Sequence, residues 1–181
     1  MISRRDFNAS TTVEGRTLSG TAAVYGLPSR LITERGRAFT ERIAPGAFRN
    51  SLGDDVKLFY QHDASMPLAR TRSGTLILSD SPAGLLFSAN LPDTTLGNDV
   101  RELLTRGDLS GEMSFGFFVM EDEWNTARTE RTVKTAKLSE ISVVVDAAYP
   151  QTQSSLRATS TEFHAACAAR LELHLKRMTH V

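Results

Sequence analysis

The sequence predicts a β-rich α+β domain, a closed or nearly closed antiparallel barrel with helices around it. Three observations lead there. Short apolar runs with a side-chain period of two recur from Arg16 to Val145, and that period marks half-buried strands. Turn-forming clusters of glycine, proline, aspartate and serine separate them. Strand follows strand without regular helical crossovers, which antiparallel neighbours allow and parallel neighbours do not.

The elements follow in order. From Arg16 to Gly26, Leu18, Ala22 and Val24 share a face, and Gly20 marks a bulge or a close backbone approach. Gly26 to Ser29 is a turn, and Leu31 to Arg37 reads as an exposed loop. Phe39 to Ile43 is a short strand, and Pro45 opens a short helix to about Leu52. Val56 to Tyr60 is a strand ending at Gln61-His62-Asp63, with a turn over Ala64 to Pro67 and a short extended piece from Leu68 to Thr71. Leu76–Leu78 and Leu85–Ala89 flank Asp80-Ser81-Pro82-Ala83-Gly84, a hairpin signal.

Thr94 to Arg106 is a helix, with Leu96, Val100, Leu103 and Leu104 on one stripe and Gly107 as its stop. Gly111 to Phe118 is a strand in which Met113, Phe115 and Phe117 point one way and Ser114, Gly116 and Phe118 the other. Glu121 to Arg131 is polar and reads as a hairpin loop between strands. Thr132–Leu138 and Ile141–Val145 follow as two separate strands. Thr159 with Glu162 forms a capping box for an amphipathic helix carrying Phe163, Ala166, Cys167, Leu171, Leu175 and Met178. The predicted organisation is a body over 1–152 and a linker with a C-terminal helix over 153–181, for which packing on the body and contact with a partner are both open.

Composition narrows the function classes. The 181 residues hold 40% hydrophobic side chains, enough for one sizeable core. Lys plus Arg equal Asp plus Glu at 21 each, so there is no basic excess of the kind that drives nucleic-acid binding. Cys167 is the single cysteine, which rules out an intrachain disulfide framework and fits a reducing compartment. Arg4-Arg5 lacks the apolar stretch of a targeting signal, and no run reaches the roughly 20 apolar residues of a membrane span. The histidines are dispersed and no phosphate-binding loop occurs, so neither a metal nor a cofactor is expected.

Chemistry concentrates at three places: His62, Ser114 and Glu140. A serine hydroxyl needs a base to take its proton, and the base needs an orienting group. Histidine suits the base because it titrates near neutrality. Each residue alone also has an ordinary reading. A histidine at a strand end is commonly a surface residue, a serine is common in strands, and an isolated glutamate is usually solvated. Asp63 ranks below Glu140 as the acid, because neighbours on a strand point to opposite faces. Cys167 with His164 three residues earlier could form a nucleophilic pair, but Cys167 lies on the apolar stripe and reads as a small hydrophobe.

The motifs then fall into a familiar order. Gly20-Thr21-Ala22-Ala23-Val24-Tyr25-Gly26 is followed by Glu41-Arg42-Ile43-Ala44-Pro45-Gly46-Ala47-Phe48 and by Leu58 to Asp63. Asp108 to Phe117, Leu138 to Val144 and Ala147-Ala148-Tyr149-Pro150 complete it. Together these resemble the prohead proteases of HK97-like tailed phages, over about residues 15–152. Each motif alone is weak, and their joint order is specific.

The resemblance implies a serine endopeptidase with a β-barrel fold related to the herpesvirus assemblins. It implies Ser114 as nucleophile, His62 as base and Glu140 as the acid, where the herpesvirus relatives use a second histidine. It implies action inside the procapsid, in the cytoplasm of the bacterial host, on the scaffold or the delta region of the major capsid protein, often with self-cleavage. A homo-oligomer is expected, with no nucleic acid and no membrane as partner. The family commonly has Ser-Ile-Gly or Ser-Val-Gly where this chain has Ser114-Phe115-Gly116, and Pro-Ala-Asn-Pro where it has Ala147 to Pro150. The second departure leaves the oxyanion donor unassigned, with Arg157 as a candidate. The rival class is a catalytically silent, scaffold-like assembly factor that keeps the protease fold.

Overall fold

A computed structural model describes residues 2–7, 11–34 and 36–145. The predicted linker, the C-terminal helix, Cys167, His164 and Arg157 lie outside the described residues. Eleven strands, one α-helix and one 3-10 turn make up the described chain. The strands are β1 (Ser3–Phe7), β2 (Thr11–Glu14), β3 (Thr17–Val24), β4 (Ile32–Glu34), β5 (Arg37–Ile43), β6 (Lys57–Tyr60), β7 (Asp63–Arg70), β8 (Leu76–Asp80), β9 (Gly84–Asn90), β10 (Glu112–Trp124) and β11 (Glu130–Val144). Helix α1 spans Thr95–Arg106, and the 3-10 turn spans Arg49–Ser51.

These strands form two sheets rather than one ring. One runs β1-β10-β11-β5-β4, with β6 also on β11 and β7 on β6; the other runs β2-β3-β9-β8. The expectation is a closed or nearly closed antiparallel barrel; the fold is β-rich as expected, and no closed barrel is found among the described residues. Pairing is mixed as well, because β11 runs parallel to both β5 and β6. Both lie along the same edge of β11, β5 on Glu130 to Val133 and β6 on Glu140 to Val143. The segment between β5 and β6 fills the gap they leave. Ala44 donates to the Val133 carbonyl and Ala136 to the Ala47 carbonyl, each at 2.9 Å. The buried Ser51 hydroxyl accepts from the Leu138 N–H at 2.9 Å and donates to the Ala136 carbonyl. An interior strand cannot leave its backbone groups unpaired, and here a loop and one side chain pair them.

Several sequence expectations change at this level. The polar stretch from Glu121 does not leave the sheet, since β10 continues to Trp124 and β11 starts at Glu130. Opposite charges across the ladder hold it there: Asp122 meets Arg131 and Glu123 meets Lys134, each pair at 2.8 Å. The loop shrinks to residues 125–129, where the Asn125 side chain accepts from the Thr129 and Glu130 N–H groups. The two predicted strands around Glu140 are one strand, β11. The expected loop at Leu31–Arg37 contains β4, whose Ile32 pairs with the buried Phe39. The expected helix after Pro45 reduces to the 3-10 turn. Finally, the turn placed at Ala64–Pro67 is strand, and the reversal occurs two residues earlier, at Gln61-His62.

Helix α1 forms as expected. Thr94 caps it by accepting from the Gly97 N–H at 3.2 Å, and Gly107 ends it in the left-handed region at φ 79°. Val100 is buried, while Leu96 and Leu104 pack partly on the core. Around the expected Gly20 irregularity, the bulge falls between Thr21 and Ala23, so that Ala22 and Ala23 are both buried.

The core lies between the two sheets. Met113, Phe115, Phe117, Ile141 and Val143 enter it from one side; Leu18, Leu76, Leu85, Phe87 and Ala89 enter from the other. Phe48, from the segment that completes β11, packs edge-on against Phe115 at 5.5 Å and Phe117 at 5.9 Å between ring centroids. It is fully buried. Phe48→Ala is therefore expected to destabilise the fold by about 3–5 kcal/mol. A urea midpoint within error of wild type would show that this ring does not join the sheets.

Candidate active site

The register of the central ladder assembles one polar face. Ser114 of β10 pairs with Ser142 of β11, and Gly116 pairs with Glu140. These positions alternate with Met113, Phe115 and Phe117, which enter the core, so they lie on the opposite side of the sheet. Ser114 and Ser142 are 0% exposed and Glu140 is 5% exposed. One strand over, Phe59 of β6 pairs with Ser142 and Lys57 with Glu140. A cleft of about 470 Å³ lined by Phe59, Ala64, Pro67, Leu68 and Arg70, among others, continues this face across β6 and β7.

His62 reaches the face from a tight turn. Tyr60 pairs with Asp63, leaving Gln61 and His62 as a two-residue hairpin connection. Both have left-handed backbones, φ 55° and 59°. That is the pattern of a hairpin turn usually built from asparagine and glycine. Non-glycine residues there carry strain, which the surrounding structure must hold. The Gln61 N–H donates to the Val143 carbonyl at 2.9 Å and ties the turn to β11. His62 Nδ1 then lies 2.8 Å from Glu140 Oε1.

Glu140 is bonded on both carboxylate oxygens. Ser142 Oγ donates to Oε2 at 2.8 Å, and Arg4 Nε of β1 donates to Oε1 at 3.3 Å, beside His62. Burial alone would push this carboxyl up. The bonds from His62 and Ser142, with the charges of His62 and Arg4, outweigh burial and hold it below the ordinary range. A depressed value of this kind adds stability above the unfolded pKa, about 4.3, and loses it as the pH falls through the folded one. Asp63 faces different partners: its carboxylate accepts from the Ser65 hydroxyl at 2.6 Å and the Ser65 N–H at 2.8 Å. Those bonds, the hydroxyl first, hold its carboxyl below the usual range.

The three predicted residues thus meet unequally. His62 and Glu140 are in direct contact. Ser114 shares their face, but its hydroxyl donates to the Arg5 carbonyl of β1 at 3.0 Å. Arg5 itself is anchored below the sheet, 2.7 Å from the buried Glu41 and 5.8 Å above the Phe117 ring. The sequence alone shows Arg4-Arg5 only as a pair without the apolar stretch of a targeting signal, and it assigns Ser142 no role. The alternation of Arg4 and Arg5 on a strand was the available clue to their opposite destinations. Among the described residues, no group of three or more His, Cys, Asp or Glu side chains converges as a metal site would.

A close approach occurs at Gly116, two residues from Ser114 on the same face of β10. What approaches is Glu140: a Cβ at 116 would come within 2.9 Å of Glu140 Cγ and 3.0 Å of Oε1. Because three partners hold that carboxylate, it cannot swing aside cheaply. Gly116→Ala is expected to displace Glu140 from His62 while the core face of β10 stays intact. A crystal structure of the variant with the 2.8 Å contact unchanged would refute this.

Comparison with known proteins places the chain. Residues 4–166 match the family model of the caudovirus prohead serine protease. No curated protein matches the chain. Among solved structures, the fold is similar to that of the bacteriophage T4 capsid assembly protease, gp21, with a TM-score of 0.54 and 10% sequence identity. That match covers 80% of this chain and 97% of the phage T4 protein. The family match takes in the His62 turn and both strands of the central hairpin, and the chain belongs to the caudovirus prohead serine protease family.

Proposed function

We propose that this chain is a serine endopeptidase that cleaves capsid or scaffold protein inside the phage procapsid, and also cleaves itself. Ser114 is the nucleophile, His62 the general base and Glu140 the orienting acid. One observation carries the assignment: His62 Nδ1 is held 2.8 Å from a buried carboxylate on the face that also bears Ser114. A proton on Nδ1, donated to Glu140, leaves Nε2 as the basic nitrogen. Nε2 takes the Ser114 proton as Oγ attacks the scissile carbonyl, then gives it to the leaving amine. Glu140 fixes this tautomer and stabilises the imidazolium. Before attack, the Ser114 hydroxyl must turn from the Arg5 carbonyl toward His62, a change between staggered rotamers. Catalytic hydrogen bonds often tighten only when substrate is bound. The cleft beside Phe59 and Pro67 adjoins the same face and offers apolar surface to a substrate side chain. A homo-oligomer accompanies this reading, and the predicted C-terminal helix is the segment to truncate in testing it.

A second reading has its own support. Ser114 is fully buried and bonded to the backbone of β1, as a structural serine would be. On that reading the chain is a silent assembly factor with a protease fold.

Co-expression with the capsid protein of the same phage separates the two. Ser114→Ala should abolish processing, detected by mass spectrometry of capsid protein and protease from mature particles. Glu140→Gln should slow processing by at least about 100-fold, as loss of a triad acid does elsewhere. Asp63→Asn should stay within about threefold, in line with a partly exposed group that bonds Ser65 rather than His62. Full processing by the Ser114 variant would remove Ser114 as the nucleophile, no processing by the wild-type chain would support the silent factor, and a reversed ranking of the two acids would reassign the third member.

A further inference from the structure

Glu140 can serve His62 only if its second oxygen is satisfied. Oε1 is taken by His62 and Arg4; Oε2 is taken by Ser142. These partners differ in kind. Arg4 belongs to β1 and its side chain is 56% exposed, so water competes for it. Ser142 is fully buried on the same strand as Glu140, two residues on and therefore on the same face. A buried hydroxyl needs an acceptor. Ser114, directly across the ladder, finds a backbone carbonyl. Ser142 instead donates to the carboxylate, a charge-assisted bond stronger than a neutral one.

We infer that Ser142 is a positioning residue of the protease, the buried donor that locks the Glu140 carboxylate in the plane from which it holds His62. The inference rests on the triad reading above. Ser142 touches neither substrate nor the reacting atoms; it acts through Glu140. Without its hydroxyl, Oε2 is an unpaired charged acceptor in a dry site, a state that costs the full desolvation of that atom. The carboxylate then turns to share its remaining donors, and the imidazole loses its fixed orientation. The expected signature is a fall in kcat with KM unchanged, because substrate binding does not use this bond.

The test uses the full chain and a fluorogenic peptide spanning the capsid cleavage site found by the mass spectrometry above. Three substitutions separate hydroxyl from volume. Ser142→Ala removes the donor. Ser142→Cys keeps a similar shape with a weak donor. Ser142→Thr keeps the hydroxyl and suits a strand. The alanine and cysteine variants should lose about ten- to a hundredfold in kcat at constant KM, and the threonine variant should stay within about threefold of wild type. Cooperative melts of all three establish that each is folded. Wild-type kcat in the alanine or cysteine variant overturns the inference, as does a folded threonine variant as impaired as alanine. Ser114→Ala, run alongside, keeps the two levels apart. Peptide cleavage by that variant sinks the triad reading itself, whereas a dead Ser114 variant beside a fully active Ser142→Ala sinks only the role of Ser142.

Discussion

The site depends on one buried carboxylate. Glu140 sits on the central strand of the larger sheet, almost out of reach of water, and stays charged there because three donors surround it. Isolated, such a charge would cost several kcal/mol or take up a proton. Much of the nearby sequence answers that cost. Gly116 gives up its side chain to make room, Ser142 supplies a hydroxyl from the same strand face, and the His62 turn adopts an unfavourable backbone that brings its imidazole over. Each feature alone looks incidental, and together they satisfy one group.

The larger sheet is arranged to present that strand. β11 pairs with β10 along one edge, and with β5, the Phe48 segment and β6 in turn along the other. Phe48 buries its ring between the sheets from the segment whose Ser51 completes the hydrogen bonding of β11. Core packing and placement of the polar face are thus coupled through one short stretch of chain. The arginines of β1 divide in the same way: Arg4 reaches Glu140 on the polar face, and Arg5 reaches the buried Glu41 beyond the apolar one. Because β1 is held on both faces, its backbone lies beside Ser114, and the Arg5 carbonyl accepts a hydrogen bond from that hydroxyl.

Family membership and geometry bear on different questions. The family match assigns the chain to the prohead serine proteases, and the likeness to the phage T4 protein, at 10% identity, concerns the fold. The resemblance implies Glu140 as the acid, and the contact of His62 with Glu140 rather than Asp63 is a matter of geometry. It follows from where each carboxylate lies: Asp63 opens β7 and bonds Ser65, whereas Glu140 lies beneath the turn that carries His62.

Periodicity by itself determined the local elements whose pattern is complete within a few residues. The alternation of Met113, Phe115 and Phe117 with Ser114 and Gly116, the Pro-Gly hairpin between β8 and β9, and helix α1 between Thr94 and Gly107 all follow from side-chain period and caps. The resemblance singled out His62, Ser114 and Glu140, but not how they meet. Only the tertiary structure decided that Glu121–Trp124 stays in the sheet, since its charges are satisfied by Arg131 and Lys134 across the ladder. Only it decided that β11 pairs in parallel with two strands, that no closed barrel forms among the described residues, and that Arg4 and Ser142 share Glu140 with His62. The physical reason is common to these. Period and propensity act between neighbours in the chain, whereas a buried charge is satisfied by whatever groups the fold brings beside it, and those groups come from β1, β11 and the β6–β7 turn.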